Sequence, residues 1–318
     1  DATVLSFEPG DFTAFYAAHY TDSALTAGFA GAISRSDARA FLDSLTARLP
    51  RGRSAPITPP SSARQGLDLT LIAMPAPGPG AMIIGAPLTV ARGDSGFATV
   101  AAAAAYLGRH GGVLSELLDN RRGLSYAAWV YPEHVTPYVE SDLLPAGLPR
   151  RAQYFSAVAL PTPPNTGFVL NVILAELEDV AARRVEDSKW RATLQFLEEA
   201  YTNENLSPVM RMHRLLDDRR AGRDGWFDQF RTQFEGVNAK PLSRELAAEF
   251  RPADCTIVAV VPQPQAVREQ LMRNQLRYTY PEGYDARELR GDDYKYISYQ
   301  PLWDPPHMRV VRASDLFR

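Results

Sequence analysis

Residues 118–126 read LDNRRGLSY, and this stretch marks where one structural element ends and the next begins. Upstream of it, Leu114 and Leu118 recur at helical spacing. Gly123 stands where a left-handed residue commonly ends a helix. A strand is predicted to follow over residues 125–131. The stretch therefore predicts a helix that turns sharply at Gly123 into a strand.

Further strands and helices are predicted on both sides of this turn. Alternating polar and apolar positions indicate half-buried strands, and apolar residues spaced by three and four indicate helices. The remainder, 275–318, holds too many aromatic residues for a disordered tail, so it is predicted to be an ordered arm. Predicted strands cover 67–73, 81–90, 152–160 and 255–261; predicted helices cover 97–108, 166–184, 187–202, a segment starting at Pro208, 226–234, 242–250 and 264–274.

The first 50 residues are predicted to form a helix, a strand and a second helix. Aromatic residues recur at helical spacing over 12–20, a strand of small residues is predicted over 25–33, and Ser34 or Ser36 is suited to cap the second helix. Residues 51–65 are rich in proline, serine and arginine but hold few large apolar residues. This composition predicts a linker between two domains.

The same order of elements recurs later in the chain. Residues 12–41 align without gaps on residues 242–271, so that Tyr20 meets Phe250 and Thr26 meets Thr256. Identity is low, but the helix–strand–helix order and the apolar positions agree. The alignment predicts one whole repeat, starting near residue 64, and the end of another. On this hypothesis roughly 167 residues of the first repeat are absent.

Composition excludes several functional classes. The net charge is −3 with 34 basic and 37 acidic residues, so no overall positive field favours nucleic acid or an anionic membrane. The single cysteine, Cys255, excludes an intrachain disulfide and a cysteine-cluster metal site. The longest uncharged run, 69–91, is long enough to span a bilayer, but a cluster of prolines and glycines interrupts it, so two strands and a turn are predicted instead.

In its order of elements the chain resembles the pitrilysin–insulinase zinc metallopeptidases, the inverted zincins that include the mitochondrial processing peptidases. In that family the second domain carries a helix-to-strand turn of the form Leu-Arg-x-x-x-Gly-Leu-x-Tyr, which residues 118–126 resemble. Residues 11–49 look like the end of the first domain, and residues 288–317 look like the closing arm of bacterial members. The resemblance covers roughly residues 10–275.

The resemblance implies a fold and a division into domains. The implied fold class is α+β, with a mostly antiparallel sheet packed by helices on one face, in a duplicated-domain architecture whose first copy is truncated. Residues 1–50 would be the C-terminal remnant of the first peptidase-like domain and 51–65 the linker. Residues 66–275 would form the second, non-catalytic and substrate-positioning domain, and 276–318 the C-terminal arm.

The zinc site of the family should be visible in this sequence if it were present. It is an inverted motif, His-x-x-Glu-His, in which two histidines of one helix face bind zinc and the glutamate activates water. None of the five histidines here begins such a motif; they are His19, His110, His134, His213 and His307. We therefore assign no catalytic residue, metal ligand or cofactor to this chain. By the resemblance, zinc is expected in the missing first domain or in a partner subunit.

The second domain of the family contributes an arginine and a tyrosine, seven residues apart, that bind the substrate backbone. Tyr126 matches the tyrosine, but Asp119 stands at the position of the arginine, and an ionised aspartate donates no hydrogen bond. By the resemblance we assign substrate binding to Tyr126 and to the turn residues Leu124, Gly123 and Arg122. Alternatives remain for the turn. Gly123 would also serve simply as a helix stop, and Arg121 or Arg122 as a replacement for the arginine or as a charge favourable to the helix C-terminus.

Three functions are compatible with these features of the sequence. In the first, the chain is the non-catalytic portion or subunit of a zinc-dependent metalloendopeptidase and forms part of a peptide-binding chamber. In the second, it is a catalytically silent structural or assembly subunit on a protease-derived fold, which the Asp119 substitution favours. In the third, it is an α+β binding module whose similarity is coincidental.

The first function is preferred, and it implies specific partners. Its substrate would be a peptide or an unfolded polypeptide, and its partner a zinc-bearing subunit or a second copy in a homodimer. No nucleic acid and no membrane span is expected. The proline- and arginine-rich composition suits a bacterial enzyme, with a periplasmic location favoured over a cytoplasmic one.

Overall fold

The fold was determined as a computed structural model that describes residues 2–55, 66–74, 78–91, 94–132, 153–221, 225–237, 242–284 and 286–316. Residues 56–65 of the predicted linker lie outside this part of the chain. The six strands are β1 (Asp68–Ala73), β2 (Ala81–Pro87), β3 (Ser125–Pro132), β4 (Tyr154–Pro161), β5 (Thr256–Val261) and β6 (Met308–Arg312). The helices are α1 (Ala2–Leu5), α2 (Pro9–His19), α3 (Arg35–Thr46), α4 (Phe97–Gly108), α5 (Val113–Ser115), α6 (Thr166–Ala181), α7 (Asp187–Asn205), α8 (Pro208–Ala221), α9 (Trp226–Val237), α10 (Arg244–Ala247), α11 (Pro264–Arg273) and α12 (Ala286–Ile297).

All six strands belong to one mixed sheet. Their order is β3-β4-β2-β5-β1-β6. The pairs β3–β4, β4–β2 and β2–β5 are antiparallel, whereas β1 runs parallel to both β5 and β6. The predicted fold class, α+β with a mostly antiparallel sheet packed by helices on one face, is confirmed. The strand β6 was not predicted from the sequence.

The core lies between one face of the sheet and the helices. Successive strand residues point to opposite faces, so one alternate set of each strand enters the core. Leu69 and Leu71 of β1, Ile84 of β2 and Ile257 of β5 are fully buried on that face. These side chains are branched and aliphatic, which suits both the extended backbone and burial.

Helices α4 and α6 form the centre of the helical layer. Helix α6 is buried along nearly its whole length, from Thr166 to Val180, and its residues are mostly large and aliphatic. Helix α4 carries a run of five alanines over 101–105. Because alanine is small and a strong helix former, α4 combines helical stability with close approach to the sheet. The contact of α4 is chiefly with β3, so this helix holds the strand that follows the Gly-Leu-x-Tyr turn.

The C-terminal arm packs against the body, as the sequence predicted. Asn171, buried in α6, donates hydrogen bonds from Nδ2 to the carbonyl oxygens of Tyr296 (3.0 Å) and Tyr299 (2.9 Å). Lys295 of α12 lies 2.7 Å from Glu176 and 2.6 Å from Asp179, both in α6. The arm then supplies β6 to the edge of the sheet beside β1. Hydrogen bonds from a buried side chain to backbone carbonyls, together with ion pairs, thus hold α12 and the following residues of the arm against α6.

The N-terminal segment, residues 2–55, forms helices α1, α2 and α3 but does not form the strand predicted over 25–33. That prediction is wrong for the described chain, in which no strand pairs with these residues. A strand requires hydrogen bonds to a neighbour, and local propensity alone does not provide one. Residues 26–30 instead lie beside α8, where the Cα of Gly28 approaches Met212 and Leu216.

The two predicted repeats differ strongly in burial. Phe250 is fully buried in the second repeat and packs on Phe155 with ring centroids 5.2 Å apart, whereas its counterpart Tyr20 is 57% exposed. Phe12 and Phe41 are exposed as well, although their counterparts Leu242 and Leu271 are buried. The N-terminal segment therefore carries the apolar pattern of a core element without the core that its counterpart has.

Candidate functional site: the Gly-Leu-x-Tyr turn

The turn at 118–126 begins with a widened helical turn. Helix α5 continues into a π-helical turn over Glu116–Asn120, which Gly123 ends with a left-handed backbone (φ 59°). The amide of Gly123 donates to the Asp119 carbonyl and the amide of Leu124 to the Leu118 carbonyl, both at 2.8 Å. A left-handed residue that redirects the chain in this way is least strained as glycine. The predicted helix stop at Gly123 is confirmed.

A β-bulge follows at the start of β3. Ser125 pairs with Pro161 and Ala128 with Ala159, so two residues of β3 lie opposite the single Leu160 of β4. The hydroxyl of Ser125 accepts the hydrogen bond of the Leu160 amide at 3.0 Å, which replaces part of the interrupted ladder. Bulges of this kind re-aim side chains beside functional sites.

Tyr126 lies in this bulge and is 84% exposed, the highest exposure of any described tyrosine. The two residues before it, Leu124 and Ser125, are buried. The carbonyl of Leu124 also accepts a hydrogen bond from the amide of Thr162 at 3.1 Å, which ties the turn to the end of β4. A fixed turn thus presents a solvent-exposed phenol that can donate or accept a hydrogen bond.

Arg122 is fully buried beneath the turn. Its Nε donates to Asp293 Oδ1 at 3.0 Å, and its Nη1 donates to the Leu117 carbonyl at 2.9 Å. Its guanidinium carbon lies 5.5 Å from the ring centroid of Tyr296. The second oxygen of Asp293 accepts a hydrogen bond from the hydroxyl of Tyr280. Asp293 therefore joins the turn to two segments of the C-terminal arm.

Burial and this carboxylate together raise the pKa of the Tyr280 phenol. Burial also raises the pKa of Tyr296, and the nearby Glu176 adds to that rise. Both phenols are therefore neutral hydrogen-bond donors at physiological pH. The network holds one buried cation and one buried anion with neutral donors around them, which is the arrangement that a buried ion pair requires.

The arm makes two more contacts with the same turn. Arg121 Nη2 lies 2.6 Å from Asp292 Oδ2 in a partly exposed ion pair. The ring of Tyr284 covers Gly123 so closely that a Cβ there would come within 2.7 Å of the Tyr284 ring. Adjacent arginines of the turn thus meet adjacent aspartates of α12, and an aromatic ring covers the glycine next to them.

These positions correct part of the predicted site. Arg122 and Leu124 have no exposed side chain to contact a substrate, and Gly123 lies under Tyr284. Arg121 and Arg122 are both paired with aspartates of α12, so neither replaces the arginine for which Asp119 stands. Tyr126 alone keeps a geometry suited to contact with a substrate. The arm residues Asp293 and Tyr280 were missed, and the adjacent Asp292 and Asp293 opposite adjacent arginines were the available signal.

Next to the turn, the face of the sheet away from the core is largely apolar and is partly exposed among the described residues. One transverse row crosses all six strands through successive paired residues, which are Trp129, Val158, Ile83, Val258, Thr70 and Arg309. Ile83 is 40% and Val258 38% exposed, although both lie in the interior of the sheet. An apolar strip that is exposed at the centre of a sheet is characteristic of a surface that contacts another polypeptide.

The described residues offer no zinc site. No three histidine, cysteine, aspartate or glutamate side chains among them cluster as metal ligands. His307 contacts only the carboxylates of Asp68 and Asp304, at 3.5 and 3.8 Å, and His134 lies outside the described residues. This donor set does not fit the two-histidine zinc motif of the family, so no chemical step through zinc is derived for this chain. Within the same part of the chain, no helix has the length and apolar character needed to cross a bilayer.

The fold is similar to that of several known structures. A crystal structure of a peptidase M16 inactive domain from Pseudomonas fluorescens superposes with a TM-score of 0.62 at 18% identity, over 81% of this chain and 58% of that one. The first half of the periplasmic protease PqqL from Escherichia coli gives 0.51 at 11% identity, over 86% and 56%. A mutant of the ferredoxin protease FusC in complex with Arabidopsis ferredoxin gives 0.50 at 10% identity, over 72% and 24%.

These likenesses concern the fold, and the chain spans less than two thirds of the length of each of these structures. No curated protein matches the sequence. The model of the "Peptidase M16 inactive domain" family, however, matches residues 6–197, which is more than half of the chain. That range contains the Gly-Leu-x-Tyr turn and the strands β1 to β4. The chain therefore belongs to the peptidase M16 (pitrilysin) family and carries its non-catalytic, inactive domain.

Proposed function

We propose that this chain is the non-catalytic portion of a zinc-dependent metalloendopeptidase and forms one wall of a peptide-binding chamber. The observation that carries the proposal is Tyr126, which is 84% exposed on a turn whose other residues are fixed by hydrogen bonds and by the arm. Because the turn is already fixed, binding of a peptide carbonyl or amide orders only the Tyr126 side chain and no further backbone.

The partly exposed face of the sheet supports a peptide or unfolded polypeptide as the ligand. An extended chain presents alternate side chains to a surface, and the exposed Ile83 and Val258 can receive them. β3 is the outermost strand of the sheet in the described chain, and Tyr126 lies at its start. Pairing of the peptide backbone with β3 and contact of its apolar side chains with the sheet would then both contribute to binding.

The N-terminal segment supports a zinc-bearing partner, as a separate subunit or as another domain. Phe12, Tyr20 and Phe41 are exposed here, while their counterparts in the second repeat are covered by a sheet and its helices. A domain of the same fold that lacks this last helix–strand–helix unit would cover them in the same way. The catalytic zinc would belong to that partner, and the similarity in fold to the periplasmic protease PqqL supports a periplasmic location.

A catalytically silent assembly subunit is the second candidate function. Asp119 favours it, because this residue replaces the arginine of the family pair and both nearby arginines are engaged by α12. In that case the partly exposed face of the sheet would bind a folded subunit.

The two functions are separated by binding and cleavage of fluorescein-labelled casein, an unfolded polypeptide. We expect casein to bind the purified chain in fluorescence anisotropy, and to be cleaved only when a zinc-bearing M16 subunit from the same organism is added. Chelation should abolish cleavage while binding remains. Absence of both binding and cleavage, with the partner present, would favour the assembly subunit.

A further inference from the structure

The C-terminal arm makes buried contacts with the Gly-Leu-x-Tyr turn. We propose that Asp293 is a positioning residue, which holds the turn through Arg122 so that Tyr126 is presented in one orientation. The inference rests on the proposed function in one respect, because it takes Tyr126 as the group that contacts the peptide.

The buried ion pair between Arg122 and Asp293 is costly in free energy, because both charges lose their hydration. Arg122 and Asp293 are both fully buried, and a buried ion pair commonly adds less stability than apolar residues of the same size would. Core packing alone therefore does not account for it. The pair instead fixes the orientation of the turn, because the planar guanidinium donates its hydrogen bonds only in certain directions. Its Nε and Nη1 donate to Asp293 and to the Leu117 carbonyl, one on the arm and the other in the helix before the turn.

Several residues of the C-terminal arm contact the same three residues of the turn, 121–123. Asp292 pairs with Arg121, Asp293 pairs with Arg122, and the Tyr284 ring covers Gly123. Three consecutive residues of the turn are thus held by residues that follow them by more than 150 positions. Tyr126, three residues further, is 84% exposed among the described residues and so is accessible to a ligand.

The hydrogen bonds of Asp293 also reach a second segment of the arm, around Tyr280. Asp293 also accepts a hydrogen bond from the hydroxyl of Tyr280, and the amide of the neighbouring Thr279 donates to Asn165 at 2.7 Å, next to the start of α6. The carboxylate is therefore itself held in place. A positioning group is effective only when its own support is rigid, and this support comes from the helical layer.

Asp293→Asn is the test variant, because it removes the charge and keeps the size. Asp292→Asn is its matched control on the same helix, since the pair it breaks with Arg121 is partly exposed. Hydrogen exchange is read at the amides of Gly123 and Leu124, with the amides of β5 as the core reference. We expect exchange at the two turn amides to rise at least about tenfold in Asp293→Asn and to change less than about threefold in the control.

A double-mutant cycle with Tyr126→Phe then tests whether Asp293 acts through Tyr126. Casein affinity should fall in Asp293→Asn and in Tyr126→Phe, while the double variant should bind no more weakly than Tyr126→Phe alone. Additive losses would overturn the inference, because a general loss of stability would not depend on the phenol.

Two further outcomes keep the inference separate from the proposed function. If the wild-type chain binds no casein, the proposed function fails, and exchange at Gly123 and Leu124 alone decides whether Asp293 fixes the turn. If Asp293→Asn does not fold, Tyr280→Phe takes its place, because it removes only the hydroxyl that donates to Asp293. Unchanged exchange at the turn in the folded variant refutes the inference.

Discussion

Gly108 and Val130 are in backbone contact: a Cβ on Gly108 would come within 1.8 Å of the Val130 amide nitrogen. Gly108 is the last residue of α4, and Val130 lies in the middle of β3. No side chain larger than hydrogen fits between this helix end and the strand. The contact fixes the distance between the helical layer and the strand that begins at the Gly-Leu-x-Tyr turn.

Gly108→Ala should therefore destabilise the fold by about 3 kcal/mol, at the upper end of the usual cost of overpacking, because neither backbone can yield alone. The measurement is the urea midpoint of unfolding followed by circular dichroism. Gly291→Ala is the control, since this glycine lies inside α12 with no atom near its missing Cβ. That change should stabilise the chain by about 0.5 to 1 kcal/mol. Equal effects of the two substitutions would contradict the backbone contact.

Tyr126→Phe should leave stability unchanged within about 0.5 kcal/mol, because the side chain is exposed. Its affinity for labelled casein should fall about three- to tenfold, the value of one lost neutral hydrogen bond. Tyr294→Phe is a matched control, because Tyr294 is another highly exposed tyrosine and lies in α12. A similar loss in both variants would remove Tyr126 from the binding surface.

Phe250 and Tyr20 occupy equivalent positions in the two repeats and should respond differently to truncation. Phe250→Ala should cost about 3 to 5 kcal/mol, because it leaves a cavity beside Phe155. Tyr20→Ala should cost less than about 1 kcal/mol in this chain, since its ring is largely exposed and stacks mainly on Tyr16. The readout is the free energy of unfolding in urea.

The same pair tests the zinc-bearing partner. In a pull-down with that subunit, Tyr20→Ala should reduce the amount recovered, whereas an exposed control such as Tyr294→Ala should not. Undiminished recovery in Tyr20→Ala would indicate that the N-terminal aromatic residues are not covered by the partner.

Alkaline pH should weaken the fold partly through Tyr131. Burial raises the pKa of its phenol to about 12 from the ordinary 10.0. Between these values the unfolded chain has lost the proton and the folded chain retains it, so stability falls as pH rises through this window. In Tyr131→Phe the fall in urea midpoint between about pH 9.5 and about pH 11.5 should be smaller than in the wild type. Equal falls would show that Tyr131 does not contribute.

The regular part of the fold was predictable because its signals are local. Leu69 and Leu71 alternate with more polar residues and form β1, and the pattern that ends at Gly123 gave both the helix stop and the following strand. The sequence also identified Tyr126 as the residue to examine, and its exposure is compatible with that role.

The predictions that failed concern residues whose structure depends on distant parts of the chain. Residues 25–33 have strand-like composition, but no strand lies beside them in the described chain. Residues 308–312 include two arginines and form β6 only because β1 offers a free edge. Arg122 was assigned to substrate contact, and its burial follows from Asp293, 171 residues later. In each case the deciding contact is made with a part of the chain that is far away in sequence.

The pairing of β1 has a consequence for the making of the protein. β1 pairs with β5 on one side and with β6 on the other, so its nearest partner is roughly 190 residues away in the chain. At ordinary translation rates, roughly 10 to 40 seconds pass between synthesis of β1 and of β5. During that interval both edges of β1, including the apolar Leu69 and Leu71, are open to pairing with other chains. The edges of β1 are thus covered only after β5 has emerged from the ribosome.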